Sequence, residues 1–175
     1  MARGFSLFEV LVASTVFTVA VVGLVPLLIV STTANTNART TTFAVALAQQ
    51  KMEQLRALAW SVDASGLAVS DTTTDLTTMP ERSAAGVGLS PSPAGALDRD
   101  TPGYVDFLNA AGEVIPADPQ FVPAFIRRWS IDALPSNPAN TLVLQVRVVR
   151  GNAAASARRL PGEAWLTSVK TRKAS

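Results

Sequence analysis

The sequence predicts an α+β protein, in which a long N-terminal helix, membrane-spanning in its first half, packs its second half on a small antiparallel β-sheet. Three observations carry that expectation. Residues 10–30 form a run of 21 residues without a charge. Apolar residues then return at helical spacing at Phe43, Leu47, Leu55 and Leu58, with Met52 beside the same face. From residue 104 onward the pattern changes to period two, in short runs separated by turn residues.

The first run has the length of a membrane span. At about 1.5 Å per residue it extends roughly 31 Å as a helix, against a hydrocarbon core of about 30 Å. A cleaved secretory signal is the competing reading, because Thr32-Thr33-Ala34 and Thr36-Asn37-Ala38 offer small-residue sites after the run. The run is longer than a signal's apolar region of about 7–15 residues, and an acid, Glu9, stands at its start. Arg3 on one side and Arg39 on the other leave the orientation balanced.

Ser6-Leu7-Phe8-Glu9 has capping-box spacing, with Ser6 as N-cap and Glu9 at the third helical position. Glu9 also suits the positive end of the helix dipole. Local helix chemistry therefore accounts for it. A carboxylate entering an apolar phase nevertheless costs about 2.5–3.5 kcal/mol at the centre of a span and less at its edge. Such a group usually has a partner, so both readings stand at this point. Gly23 and Pro26 lie inside the span. Proline removes a helix hydrogen bond and crowds the carbonyl near Val22, which predicts a kink or a locally unwound stretch, or else a proline the span simply tolerates.

Gly4-Phe5-Ser6-Leu7-Phe8-Glu9-Val10-Leu11-Val12-Ala13 resembles the class III signal of type IV pilins and type II secretion pseudopilins. The resemblance implies that a prepilin peptidase cuts between Gly4 and Phe5 and methylates the new N-terminus at Phe5. Glu9 becomes the fifth mature residue, and Pro26 the twenty-second, where many type IV pilins carry a helix-kinking proline. The physical logic is coherent. Cleavage turns the Phe5 amide into an amine, and that cation can neutralise Glu9 of a neighbouring subunit in an apolar fibre core.

After the span, residues 31–42 (STTANTNARTTT) are polar and poor in strong helix formers, and either interrupt the helix or form its exposed middle. In the second helical stretch Gln49, Gln50, Lys51, Glu53, Gln54 and Arg56 read as the polar side. Residues 46–58 resemble the second half of the stem helix in PilV-type minor pilins. Residues 60–103 are rich in Ser, Thr, Asp, Gly and Pro, too long for an ordinary connection, and read as a functional loop or a partly disordered one. Their aspartates lack EF-hand spacing, so no calcium site is expected.

Residues 104–108 and 113–115 flank Asn109-Ala110-Ala111-Gly112, a hairpin signature. Residues 125–134 place Trp129, Ile131 and Ala133 on one face, and Arg128, Ser130 and Asp132 on the other. Residues 141–149 align Leu142, Leu144, Val146 and Val148, and residues 164–172 align Trp165, Thr167 and Val169. Trp129 and Trp165 read as core residues.

The 175 residues carry a net charge of +2 but no cysteine and no histidine. That composition excludes disulfides, thiol nucleophiles, Cys/His zinc sites and a Ser-His-Asp triad. The charge is uneven, at +2 over residues 1–60, −7 over 61–126 and +7 over 127–175. The basic third (Arg127, Arg128, Arg147, Arg150, Arg158, Arg159, Lys170, Arg172 and Lys173) is either the complement of the acidic middle or a nucleic-acid surface. In the second case Arg127, Arg128, Arg158 and Arg159 are the contact candidates. No catalytic constellation, cofactor motif or metal-ligand spacing stands out, so no enzyme activity and no cofactor are expected, and the resemblance implies a structural protein.

The resemblance divides the chain into a leader (1–4), the membrane half of the stem (5–30), its outer half (31–60), a variable loop region (61–103) and a sheet head (104–175). It implies a minor pilin held in the bacterial inner membrane before assembly, with prepilin peptidase, an assembly platform and other pilin or pseudopilin subunits as partners. The alternatives are a minor pseudopilin of a type II secretion system and a filament-tip binder of DNA or surfaces.

Overall fold

The computed structural model describes residues 6–118, 120–151 and 162–174. Gly4, Phe5, Arg158 and Arg159 lie outside them. The fold is α+β, and the described residues form one long helix, α1 (Leu7–Ala57), followed by eight strands. Contacts group the residues into two units, Met1–Arg39 and Thr40–Ser175.

Helix α1 is unbroken through Gly23, Pro26 and the polar residues 31–42. The polar stretch is thus helical, not an interruption, and the proline causes no local unwinding. Part of the reason is local. The hydroxyl of Thr32 donates to Leu28 O at 3.0 Å and that of Thr36 to Thr32 O at 2.9 Å, which satisfies these side chains on the helix itself. The helix stops at Ala57, three residues before the boundary expected at 60.

In the second unit five strands form an antiparallel sheet in the order β4-β3-β5-β6-β7. They are β3 (Val105–Leu108), β4 (Val114–Ile115), β5 (Phe125–Ala133), β6 (Thr141–Arg150) and β7 (Ala164–Thr171). The β3–β4 hairpin forms where expected. Asn109 Oδ1 accepts from the amides of Ala111 and Glu113 at 2.9 and 3.0 Å, and Gly112 completes the turn at φ 84°. A Cβ at Gly112 would stand 2.9 Å from Leu47 Cδ2, so the turn presses directly on α1. A smaller sheet, β2-β1-β8, joins β1 (Trp60–Val62) antiparallel to β2 (Ala68–Ser70) and parallel to β8 (Lys173–Ala174).

The core lies between α1 and the large sheet. Ala44, Leu47, Ala48, Met52 and Leu55 of α1 are buried with Phe125, Trp129, Ile131, Leu142, Leu144, Val146 and Val148. Each large aliphatic side chain so buried contributes about 1.5–3 kcal/mol. Phe43 meets Phe125 edge-on, with ring centroids 5.5 Å apart.

Three expectations need correction. Residues 61–103, read as a functional or a partly disordered loop, include a packed part, because Leu76, Leu89, Ala96 and Leu97 are buried. The segment and Tyr104 also continue the sheet's hydrogen bonding along β5 beyond the start of β3. Ser92 N donates to Ile131 O at 2.9 Å, Ile131 N to Ser92 Oγ at 3.1 Å, and Trp129 N to Tyr104 O at 3.0 Å. Second, Trp165 is 43% exposed and not a core residue. Its strand does alternate, but the register pairs Trp165 with Arg147, which faces away from the Leu142–Val148 core row. The Arg147 guanidinium lies 5.6 Å from the Trp165 ring.

Third, Lys51 belongs to the buried face, not the polar one. Its ammonium is fully buried, 2.9 Å from Asp106 Oδ2, and donates to Leu76 O. The Trp129 ring stands 4.4 Å away. Arg127, also fully buried, grips Asp106 with two parallel bonds of 2.9 Å and donates to Leu47 O and Gln50 Oε1. One carboxylate on β3 thus holds two cations, one from α1 and one from β5. Burial lowers the Lys51 pKa from 10.5 to about 8; Asp106 opposes that shift and Arg127 adds to it.

Two stability predictions follow from this cluster. Asp106→Asn leaves two buried cations facing each other and should cost on the order of 3–5 kcal/mol in denaturant unfolding of the full chain in detergent. Lys51→Met leaves a neutral Arg127–Asp106 pair and should be close to neutral. The second prediction concerns pH. Unfolded Lys51 keeps its proton up to about 10.5, whereas the folded form releases it near 8, so the unfolded state binds more protons in between. Stability should therefore rise with pH through that window, by on the order of 2 kcal/mol between pH 7 and 10. Subtracting the Lys51→Met profile isolates the effect from other groups, and a flat difference would contradict it.

Candidate functional site: the apolar stem and the basic third

The first unit places Glu9 in the first turn of α1. Ser6 occupies the N-cap position, where its carbonyl accepts from the amides of Glu9 at 3.0 Å and Val10 at 3.2 Å. The expected cap site is therefore at Ser6. Glu9 is exposed, and so are Leu7 at 87%, Phe8 at 74% and the large apolar side chains from Val10 to Val30. Among the described residues no cation stands within ion-pair distance of the Glu9 carboxylate.

Polar groups within the run are satisfied internally. Ser14, Thr15 and Thr18 each donate at 2.8 Å to the carbonyl four residues back. Gly23 has open space beside it. The helix is long and apolar enough to cross a membrane, and its most apolar window has no buried residue. The unit thus carries a large unpartnered apolar surface with one acid at its N-terminal edge.

The basic third is a different matter. Arg127 is in the core and is withdrawn as a nucleic-acid contact, because strand alternation puts it on the same face as Phe125, Trp129 and Ile131. Arg128 bonds Asp100 at 2.7 Å and is 13% exposed. Arg147 bridges Asp98 at 2.7 Å and Glu163 at 2.8 Å. Arg172 stacks 3.5 Å over Trp60 and donates to Ala139 O, Ser61 O, Val69 O and Ser70 Oγ. Lys170 donates to Arg56 O at the end of α1. Arg128 and Arg147 therefore bind acidic residues of the middle segment, and Lys170 binds the helix terminus, all within their own chain.

Among the described residues no group of three acidic side chains is placed to hold a metal ion. The residues that sequence reasoning missed are Lys51, Asp106 and Arg172. Lys51 follows Leu47 by four positions and precedes Leu55 by four, so its place on the apolar face was readable from spacing alone.

In comparisons with family models, curated proteins and solved structures, nothing matches this chain.

The buried position of Arg127 yields a test. Arg127→Ala should destabilise the chain by on the order of 3 kcal/mol, through lost packing and unpaired core acceptors. It should leave any low-salt retention of double-stranded DNA unchanged in a gel shift. Weaker retention at equal folded fraction would return Arg127 to a nucleic-acid surface.

Proposed function

We propose that this chain is a structural minor pilin, incorporated into or priming a type IV pilus. On this reading prepilin peptidase cleaves between Gly4 and Phe5 and methylates Phe5. The chain waits as a single-pass protein in the bacterial inner membrane. An assembly platform then passes it into a filament with other pilin subunits.

The observation that carries the reading is the coupling of two faces on one helix. From Leu7 to Val30 the helix exposes its apolar side chains with a single acid at the start, while Ala44, Leu47, Ala48, Lys51, Met52 and Leu55 of the same helix are buried in a head. Helix α1 has 51 residues, more than the roughly 20 that one bilayer requires. That geometry suits a subunit whose first half exchanges lipid for neighbouring stems, while the head stays folded throughout.

Glu9 supplies the selective step. Its carboxylate is costly in an apolar surround unless a cation meets it. The amine freed at Phe5 by cleavage provides that cation only after processing, so uncut precursor is kept out of the filament. Neutralisation between subunits requires that Glu9 find no permanent partner in its own chain.

Two variants separate processing from assembly. Gly4→Ala should leave uncut precursor in the membrane, seen by intact mass. Glu9→Ala should be cut and methylated normally yet lower filament incorporation about tenfold or more, as loss of a desolvated charge pair implies. A mature N-terminus at Asn35 or Arg39 would end the reading altogether. Normal incorporation of the Glu9 variant would return that residue to a capping role.

A further inference from the structure

The three methionines of the chain stand at positions 1, 52 and 79. Met52 is 5% exposed in the core, whereas Met79 is 52% exposed. The sulfur of Met79 faces two side-chain amides of α1, with Gln54 Nε2 at 3.1 Å and Gln50 Nε2 at 3.8 Å. A thioether is a weak acceptor, so two N–H donors turned towards one are poorly matched compared with water.

The orientation of Gln50 is not arbitrary. Its Oε1 accepts from Arg127 Nη1 at 2.9 Å, which leaves Nε2 to point towards Met79. The buried ion cluster therefore aims this donor. Gln54 shows the same mismatch from the other side, because its Oε1 is buried without a partner among the described residues.

We propose that Met79 is an oxidation site, and that the sulfoxide is the form these two amides are arranged to hold. The oxidant is a peroxide or a hypohalous acid. With hydrogen peroxide, a sulfur lone pair forms the S–O bond, the O–O bond breaks, and water leaves. Sulfur is oxidised, peroxide oxygen is reduced, and all protons depart in the water. The new oxygen is a strong acceptor, and the half-exposed side chain can withdraw by one S–O bond to place it between Gln50 and Gln54. Oxidation of a core methionine loosens packing. Here it tightens the tie between α1 and residues 75–82, to which Lys51 at Leu76 O and the buried Leu76 side chain also contribute. The inference rests on this geometry alone and is independent of the subunit reading.

The full chain in detergent is titrated with hydrogen peroxide and followed by peptide mass and backbone hydrogen exchange. Met79 should be oxidised well before Met52, and exchange of amides 76–82 should slow about threefold, as one added hydrogen bond implies. Met79→Gln, which carries a carbonyl oxygen at a similar reach, should reproduce the slowing without oxidant, and Met79→Leu should not. Equal oxidation of Met52 and Met79, or faster exchange of 76–82 after oxidation, would overturn the proposal. So would a Met79→Gln protein whose exchange matches that of Met79→Leu.

Discussion

The head depends on one carboxylate. Asp106 lies fully inside the protein with two cations against it, so the cluster carries a net positive charge where water does not reach. Such an arrangement is weak as a source of stability, since desolvating three ions offsets most of their attraction. Its value is positional. Arg127 binds the Leu47 carbonyl and Gln50 of α1 while gripping β3, and Lys51 reaches from α1 to the Leu76 carbonyl. Sliding the helix by one residue would remove an ammonium from its only carboxylate, whereas an apolar interface tolerates small slips. The cluster thus sets the axial register of helix against sheet, and hydrophobic packing supplies the energy.

The same device explains why the long Ser/Thr-rich segment is ordered. Its apolar residues are few, but Leu76 and Leu89 are buried at points where its backbone is also claimed, by Lys51 at Leu76 and by the Asp71 carbonyl at Leu89. Further on, Ser92 and Tyr104 take over the hydrogen-bonding edge of β5 above the short strand β3. A sheet edge left open there would be a pairing hazard. Tyr104 locks this cover by donating to the Ser90 and Pro91 carbonyls, and burial pushes its hydroxyl pKa up.

Period and turn chemistry made most of the architecture legible in advance: the helix, the β3–β4 hairpin, the long β5–β6 pair and β7. Face assignment was harder. Leu142, Leu144, Val146 and Val148 declare their face because every alternate residue is apolar, but Trp165, Thr167 and Val169 form an equally good row that points outward. Only the cross-strand pairing of Trp165 with Arg147 decides the matter. Charged residues inside an apolar stripe were the other blind spot. Lys51 and Arg127 read as polar by type although their positions, four from Leu47 and two from Trp129, put them in the core. Pairing between residues 51, 106 and 127 is a tertiary fact, and composition alone showed only that acidic and basic segments could complement each other.

Asp106 and Glu9 pose the same electrostatic problem with opposite outcomes. Both are carboxylates set among apolar side chains, and an unpaired charge in such surroundings is expensive. For Asp106 the chain folds two cations onto it, and the acid is satisfied within one molecule. For Glu9 the described residues offer none, and the helix around it exposes only apolar side chains and hydroxyls already bonded to their own backbone. Glu9 is tolerable beside water and headgroups at the edge of a membrane. It becomes costly once the apolar helix is enclosed. The chain thus pairs the Asp106 carboxylate from within its own fold, whereas among the described residues Glu9 has no cation beside it. On the proposed reading, enclosing the stem brings that cation with it, and burial of this helix is coupled to the chemistry of whatever packs against residue 9.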